Sequence, residues 1–223
     1  MTAPLIAFDL DGTLVETAPD LVGTLNAVFE REGLPPVPYE LGRAMIGSGA
    51  RVMISRGLEA EGRTVSPAQL DKLFADFLEH YSAHIADQSK PFPGLEDSLD
   101  QLANDGFALA VCTNKLEGLS VKLLDILGLS KRFVKICGQD TFGIQKPDPE
   151  MLRRTIAAAG GDIKRTIMVG DSETDIRTAQ AAGVPVIAVD FGYTPRPVAE
   201  FRPDRVISHF NDLRSAVADL QRK

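Results

Sequence analysis

Two aspartates near the start of the chain, Asp9 and Asp11, are the residues most clearly suited to chemistry. They end an apolar run and stand two positions apart, so alternation along an extended chain would place both carboxylates on the same side. Two buried acids this close repel each other and lose hydration, which is costly unless a cation or a reacting phosphate lies between them. The pair therefore indicates a phosphate or metal site, and a charged edge strand or a turn is the alternative interpretation.

Three further groups of polar residues adjoin apolar runs or helix starts later in the chain. They are Thr113, Asn114 and Lys115 after one run, Lys146 before a proline-rich helix start, and the segment 170–175, which contains Asp171 and Asp175. Each group alone has an ordinary explanation, such as a turn, a solvated lysine or a helix cap. In open α/β sheets, however, ligands bind beyond the carboxyl ends of the strands, and there all of these residues would meet.

The elements that must position these residues are predicted from short apolar runs that alternate with amphipathic segments. This alternation is typical of a parallel sheet covered by helices on both faces. The expected strands are residues 5–9, 107–112, 134–137, 166–169, 185–189 and 204–207. Helical periodicity with stops at Gly128 and Gly160 predicts helices between them. The expected fold class is therefore α/β, with a doubly wound, Rossmann-like parallel sheet.

Residues 16–89 break this rhythm, because they show helical patterns and no convincing strand. The best-marked helix begins at Ser66, which is followed by proline and, three residues later, by a glutamine in capping-box position. The predicted organisation is a core formed by residues 1–15 and 90–223, with an all-helical cap domain at 16–89. A proline-rich exit at 90–94 would act as a semi-rigid hinge.

Composition restricts the partners that this chain of 223 residues could have. Its formal net charge of -7 provides no general field for nucleic acid or an anionic membrane surface, so neither is expected as a partner. The chain shows no signal-like segment and no apolar run of about 20 residues, so a cytoplasmic location is expected. Cys112 and Cys137 are expected to be reduced thiols in the core. The sequence gives no indication of the oligomeric state.

The polar groups described above resemble, in order, the four motifs of the haloacid dehalogenase superfamily of phosphotransferases that use an aspartate nucleophile. They are Asp9-Leu10-Asp11-Gly12-Thr13, then Thr113, then Lys146, then Gly170-Asp171 with Asp175. The resemblance covers essentially the whole chain and extends to members with a helical cap after the first motif. Within that group, segments 46–51, 112–115 and 190–193 are most similar to phosphoglycolate phosphatases. The resemblance implies hydrolysis of a small phosphorylated metabolite.

The resemblance also implies a role for each catalytic residue. Asp9 would attack phosphorus and form an aspartyl-phosphate. Asp11 would protonate the leaving alkoxide and then activate water. Lys146 and the Thr113 hydroxyl would hold the oxygens of the transferring phosphoryl group.

Magnesium is the cofactor implied by this resemblance, since it suits a site made only of oxygen ligands. The carboxylates of Asp9 and Asp171 and the backbone carbonyl of Asp11 would bind it. Asp175 would lie behind these ligands and orient Lys146 or a metal-bound water.

Two further residues, Asn114 and Arg51, are expected to bind the substrate, and Arg51 would bind the end that carries no phosphoryl group. Asn114 adjoins the phosphate-holding Thr113. Arg51 follows a Gly47-Ser48-Gly49 turn in the cap, and a guanidinium is well suited to bidentate capture of a carboxylate such as that of phosphoglycolate. The alternative is that Arg51 lies on a solvated helix face.

Single residues of the motifs distinguish a phosphatase from several rival activities. An acid at position 11 disfavours dehalogenation, because a departing halide needs no proton. A phosphosugar mutase resembling beta-phosphoglucomutase tends to have an acid where this chain has Gly170 and a valine where it has Thr13, so a phosphatase is favoured. An inorganic pyrophosphatase of the same superfamily stays open. A non-catalytic module that binds phosphate is disfavoured by the full set of catalytic residues.

Overall fold

The computed structural model describes residues 3–221 of the chain. Its strands are β1 (Leu5–Phe8), β2 (Val15–Glu16), β3 (Lys90–Pro91), β4 (Ala108–Cys112), β5 (Lys135–Cys137), β6 (Thr166–Gly170), β7 (Val186–Val189) and β8 (Arg205–Ile207). Its helices are α1 (Ala18–Arg31), α2 (Tyr39–Arg43), α3 (Ala50–Ala60), α4 (Pro67–Ala83), α5 (Leu95–Asn104), α6 (Glu117–Ile126), α7 (Gln139–Phe142), α8 (Pro149–Ala158), α9 (Glu173–Ala182) and α10 (Leu213–Gln221).

Six of the strands form one parallel sheet in the order β5-β4-β1-β6-β7-β8. The central strand β1 pairs with β4 on one side and β6 on the other, and Phe8 lies opposite both Val111 and Val169. The carboxyl ends of these three strands therefore coincide at one edge of the sheet. The predicted α/β class is confirmed, and each of the six predicted strands is present with its ends shifted by one residue at most.

Both faces of the sheet are packed, as the strand β1 shows most directly. Ile6 and Phe8 belong to one apolar cluster, and Leu5 and Ala7 belong to the other. This period of two follows from the pleat of a strand, and burial on both faces explains why the run has no polar residue. The core positions the site, because it fixes where each strand ends.

The two cysteines lie within this core. Cys112 and Cys137 are buried free thiols at paired positions of β4 and β5. Burial raises the pKa of Cys112 to about 12, so its thiol stays protonated and unreactive. The prediction of reduced core thiols is confirmed.

Helices α1 to α4 follow the first strand and its loop. The predicted capping box is present at the start of α4, where Ser66 Oγ accepts the N–H of Gln69 at 3.3 Å and the Gln69 side chain accepts the N–H of Ser66 at 2.9 Å. Each of these bonds satisfies a backbone group that the first helical turn leaves free. The division into core and cap domains stays a prediction.

One prediction for this segment is wrong in detail, because two short strands lie at its ends. Strands β2 and β3 pair in antiparallel orientation, with Val15 opposite Pro91 and Glu16 opposite Lys90. Two-residue strands carry no periodicity that a sequence pattern can detect. Nearby, the buried carboxylate of Asp20 accepts the backbone N–H groups of Gln88 and Ser89 at 3.1 and 2.8 Å. Both connections are thus held together by hydrogen bonds.

The longest of the described helices is α4, with 17 residues. Between residues 3 and 221, none is both long enough and apolar enough to cross a membrane.

Candidate active site

The carboxyl edge of the sheet brings together three buried aspartates. Asp9 follows β1, Asp171 follows β6, and Asp175 lies in the first turn of α9. One oxygen of each lies within 4.8 Å of the others. The structure therefore places these three predicted site residues in one cluster, as expected from the parallel arrangement of the strands.

Lys146 supplies the positive charge inside this cluster. Its Nζ lies 2.8 Å from Asp9 Oδ1 and donates to Asp175 Oδ1 at 2.6 Å. Burial alone would lower the pKa of Lys146, but the neighbouring carboxylates of Asp175 and Asp9 raise it above its usual value. The ammonium is therefore kept, and Asp175 holds it as predicted.

The loop that carries Lys146 is fixed by Asn114. The Asn114 side chain accepts the backbone N–H of Lys146 at 2.8 Å and donates to the backbone carbonyl of the same residue at 3.0 Å. A further bond from Asn114 Nδ2 reaches the carbonyl of Gly47 at 3.2 Å. The Asn114 amide therefore positions Lys146. Because Asn114 also lines the cavity, its binding of substrate stays a prediction.

Asp9 is the least satisfied of the buried acids. Its Oδ1 forms an ion pair with Lys146, but the direction of approach does not give a hydrogen bond, and no other donor among residues 3–221 reaches this atom. Burial raises the pKa of Asp9 from 3.8 to about 6, and the nearby Lys146 charge offsets part of that rise. A cation beside Asp9 would favour the ionised carboxylate.

Asp171 is held tightly by its neighbours. Thr13 Oγ1 donates to Asp171 Oδ1 at 3.0 Å, and the backbone N–H of Tyr193 donates to Oδ2 at 2.7 Å. A Cβ atom at Gly12 or Gly192 would lie only 2.5 or 2.2 Å from atoms of this side chain, so glycine is required at both positions. Burial raises the pKa of Asp171 well above its usual value.

These observations fit a bound metal ion with oxygen ligands. Asp9 and Asp171 are both buried acids whose charged forms need compensation, and a carboxylate oxygen of one lies within 4.8 Å of a carboxylate oxygen of the other. Both oxygens of Asp175 are already engaged, by Lys146 and by the N–H and hydroxyl of Ser172. Hard cations such as magnesium and calcium prefer such donors.

Asp11 lies outside the group formed by the other three aspartates. Its carboxylate accepts Thr17 Oγ1 at 2.8 Å and Lys115 Nζ at 2.9 Å, and the side chain is largely buried. The sequence pattern predicts Lys115 at this edge of the sheet with Thr113 and Asn114 but indicates no role for it. Its position at a strand end is the signal that could have identified it.

A cavity opens in front of these residues. Its volume is about 590 Å³ including its open mouth, and Asp9, Asp11 and Thr113 line its floor. Its walls come largely from the helical segment 18–83 and are mainly apolar. They include Leu21, Ile46, Met53, Phe74, Phe77, Leu78 and Tyr81.

Arg51 is not brought to this cavity. Its guanidinium donates to Asp71 Oδ1 at 2.6 Å and lies over the ring of Phe74, and 47% of the side chain is exposed. The glycine turn before it does reach the cavity, through Gly47 and Gly49. We correct the expectation for Arg51 accordingly: α3 turns this side chain outward, toward α4, where an exposed acid is available.

Comparison with known proteins gives consistent matches along the whole chain. Residues 6–189 match the model of the haloacid dehalogenase-like hydrolase family. A phosphoglycolate phosphatase of Mesorhizobium japonicum is 49% identical over 98% of this chain and 96% of its own length. One from Agrobacterium fabrum is 47% identical over 96% of this chain and 92% of its own length.

Solved structures give the same result. A crystal structure described as a predicted phosphoglycolate phosphatase from Haemophilus somnus superposes with a TM-score of 0.90 and 29% identity. It covers 96% of this chain and 98% of its own.

Proposed function

This chain belongs to the haloacid dehalogenase-like hydrolase family, and from that premise we propose that it is the phosphatase that hydrolyses 2-phosphoglycolate to glycolate and inorganic phosphate. It is a phosphoric monoester hydrolase whose substrate is a small phosphorylated compound. The observation that carries the proposal is the Lys146 ammonium held between Asp9 and Asp175, with Asp171 beside them. This arrangement provides a nucleophile and a positive charge where an anionic phosphoryl group must bind.

The first chemical step is assigned to Asp9 and Asp11. An Asp9 oxygen attacks phosphorus as the bond to the glycolate oxygen breaks, and a proton from Asp11 goes to that oxygen. The attack is assigned to Asp9 Oδ1, which lies 2.8 Å from Lys146 Nζ and accepts no hydrogen bond from the described residues. Thr17 and Lys115 hold the Asp11 carboxylate at the cavity floor.

The second step returns the enzyme to its starting state. Asp11 takes a proton from water, whose oxygen attacks phosphorus and releases Asp9 and inorganic phosphate. Lys146 and the Thr113 hydroxyl hold the phosphoryl oxygens in both steps, and Asn114 keeps the Lys146 backbone in place.

Enzymes of this family are generally metal-dependent, and we assign magnesium to the acidic cluster. The Asp9 and Asp171 carboxylates would hold it, together with the Asp11 backbone carbonyl. When bound, magnesium would neutralise the repulsion between an anionic nucleophile and an anionic phosphate. A cytoplasmic location is also part of this proposal, supported by the two buried free thiols.

The rival activities are not favoured. A Cβ atom at Gly170 would lie 2.4 Å from the Asp175 side chain, so the extra acid expected of a phosphosugar mutase has no room there. The 46–49% identical relatives described as phosphoglycolate phosphatases favour hydrolysis of an organic ester over pyrophosphate.

The test is phosphate release by the purified protein with magnesium, comparing 2-phosphoglycolate, glucose 1-phosphate and pyrophosphate. The highest kcat/KM is expected for 2-phosphoglycolate. Asp9→Asn is the matched control: it keeps the volume of the side chain but removes the nucleophile, so essentially no turnover should remain in a folded protein. Conversion of glucose 1-phosphate to glucose 6-phosphate, or faster hydrolysis of pyrophosphate, would reject the proposal.

A further inference from the structure

Lys115 lies beside the reacting end of the cavity but is not part of the acidic cluster. Its Nζ donates to Asp11 Oδ1 at 2.9 Å and to the Tyr81 hydroxyl at 2.8 Å. The ammonium also lies 4.4 Å from the centre of the Tyr81 ring. The side chain is only 5% exposed, and its two hydrogen-bond partners, Tyr81 of α4 and Asp11, fix its position.

The charge of Lys115 is unusual for its surroundings. Among the described residues that line the cavity, Lys115 is the only one with a basic side chain. Arg51 points outward, and Lys146 is buried and does not line the cavity. The part of a substrate beyond its phosphoryl group would otherwise find only neutral polar partners in the lining, such as Gln139. An anionic group on the substrate would therefore be attracted to Lys115.

The Lys115 ammonium makes three polar contacts in this structure. Its Nζ lies 2.9 and 3.2 Å from the two carboxylate oxygens of Asp11 and 2.8 Å from the Tyr81 hydroxyl, so each of its three N–H bonds has an acceptor nearby. Burial raises the pKa of Tyr81 well above its usual value, so its phenol stays neutral and does not supply a second negative charge. A substrate carboxylate would bind Lys115 by replacing the longest of these contacts, the one of 3.2 Å to Asp11 Oδ2.

The position of Asp11 defines which part of the substrate meets Lys115. In the proposed reaction Asp11 contacts the oxygen between phosphorus and carbon. In 2-phosphoglycolate the carboxylate is separated from that oxygen by a single methylene group. A group so close to the leaving oxygen would lie near the residues whose side chains hold Asp11, which are Thr17 and Lys115, and of these two Lys115 carries the positive charge.

We propose that Lys115 is a specificity-determining residue that binds the carboxylate of the substrate, the function that Arg51 cannot serve from its position outside the cavity. This inference rests on the proposed function. It assigns selection of short carboxylated phosphoesters to a residue of the core and to its contact with the cap residue Tyr81. The backbone N–H of Lys115 donates to Thr113 Oγ1 at 3.2 Å, which links the sites for the two ends of the substrate.

The experiment compares two substrates of nearly equal size, 2-phosphoglycolate and 2-hydroxyethyl phosphate, which has a neutral hydroxymethyl group in place of the carboxylate. The measured quantity is the ratio of their kcat/KM values with magnesium present. In Lys115→Met this ratio should fall about 10- to 100-fold, the usual effect of losing a charge-assisted hydrogen bond. Lys115→Arg keeps the charge and should retain part of the preference.

Lys122→Met is the matched control. Like Lys115, Lys122 contacts α4: it lies on α6 and donates to the carbonyl and hydroxyl of Ser82. It is outside the cavity lining. Its removal should leave the substrate ratio unchanged. Residual hydrolysis of 2-hydroxyethyl phosphate reports that each variant is folded.

Two results would contradict the assignment, and they differ from each other. If both substrates lose the same factor in Lys115→Met, Lys115 acts only through Asp11, and its role in specificity is rejected while the proposed function stands. If the parent protein itself fails to prefer 2-phosphoglycolate, the proposed function is rejected, and the assignment of Lys115 with it.

Discussion

The backbone N–H of Tyr193 donates to Asp171 Oδ2 at 2.7 Å, which ties this site carboxylate to a loop 22 residues further along the chain. The phenol of the same tyrosine accepts the backbone N–H groups of Thr17 and Ala18 at 2.6 and 3.0 Å. It therefore caps the first turn of α1, for which the Thr17 side chain provides no cap. One residue thus connects the acidic cluster with the start of the helical segment.

The cap residue Arg43 reinforces this connection. Its guanidinium donates to the carbonyl oxygen of Gly192 at 2.6 Å and lies 5.0 Å from the centre of the Tyr193 ring. The loop that supports Asp171 is therefore held from both sides.

Removing the Tyr193 hydroxyl should destabilise the protein. Tyr193→Phe keeps the ring and the backbone bond to Asp171 but leaves the buried N–H groups of Thr17 and Ala18 without an acceptor. The free energy of unfolding should fall by about 1 to 3 kcal/mol, measured by urea denaturation. The control is Tyr39→Phe, at a tyrosine that is 44% exposed, which should change stability by less than about 0.5 kcal/mol. Equal stability of both variants would show that the phenol does not cap α1.

Asp11→Asn should separate substrates by their leaving groups. With 2-phosphoglycolate, whose alkoxide needs a proton, phosphoryl transfer should slow by about 10²- to 10⁴-fold. With p-nitrophenyl phosphate, whose phenolate leaves unprotonated, the first step should slow much less. Rapid-quench measurement of the first turnover is required, because the second step also uses Asp11. Equal loss with both substrates would exclude Asp11 as the general acid.

Asp171 and Asp175 should respond differently to replacement, because they face different partners. Asp171→Asn removes a charged ligand and should raise the magnesium concentration for half-maximal activity by at least about tenfold. Asp175→Asn leaves buried Lys146 with one carboxylate partner and should mainly lower stability, by about 2 to 4 kcal/mol. Magnesium titrations and urea denaturation of both variants distinguish the two effects. If Asp175→Asn produced the larger change in magnesium requirement, Asp175 and not Asp171 would be the metal ligand.

Without metal, the acidic cluster should make stability fall as pH rises. Burial raises the pKa of Asp9 from 3.8 to about 6, so the folded protein holds this proton more tightly than the unfolded chain does. The resulting stability is fully present below about pH 4 and is lost as pH rises through about 6, on the order of 3 kcal/mol. The raised pKa of Asp171 acts in the same direction.

Urea denaturation between pH 4.5 and 7.5 in chelator tests this effect. Asp9→Asn removes the group, so the difference in stability between parent and variant should shift in favour of the variant as pH rises. Magnesium should restore the parent at pH 7.5, because it binds the ionised carboxylates. A difference that does not vary with pH would show that Asp9 has no raised pKa in the folded state.

Local patterns in the sequence were sufficient to predict the sheet and the ends of its strands. Apolar runs such as Leu5 to Phe8 predict strands because burial on both faces excludes polar residues, and parallel strands place their carboxyl ends together. The capping box at Ser66 is equally local. For that reason the meeting of Asp9, Asp171 and Asp175 followed from their positions after strands.

Side-chain partners were decided only by the tertiary structure. Whether Arg51 or Lys115 faces the cavity depends on how α3 and α4 pack over the sheet, and the Tyr81 hydroxyl that contacts Lys115 is 34 residues away in the chain. The bond between Tyr193 and Asp171 joins loops whose approach no local pattern encodes. The sequence by itself therefore determined the fold class and the acids at the sheet edge, because hydrophobic periodicity and the residues that follow each strand are local properties. The order of the strands in the sheet came from the tertiary structure. Packing decided which cation lines the cavity, because a partner is chosen by distance in space.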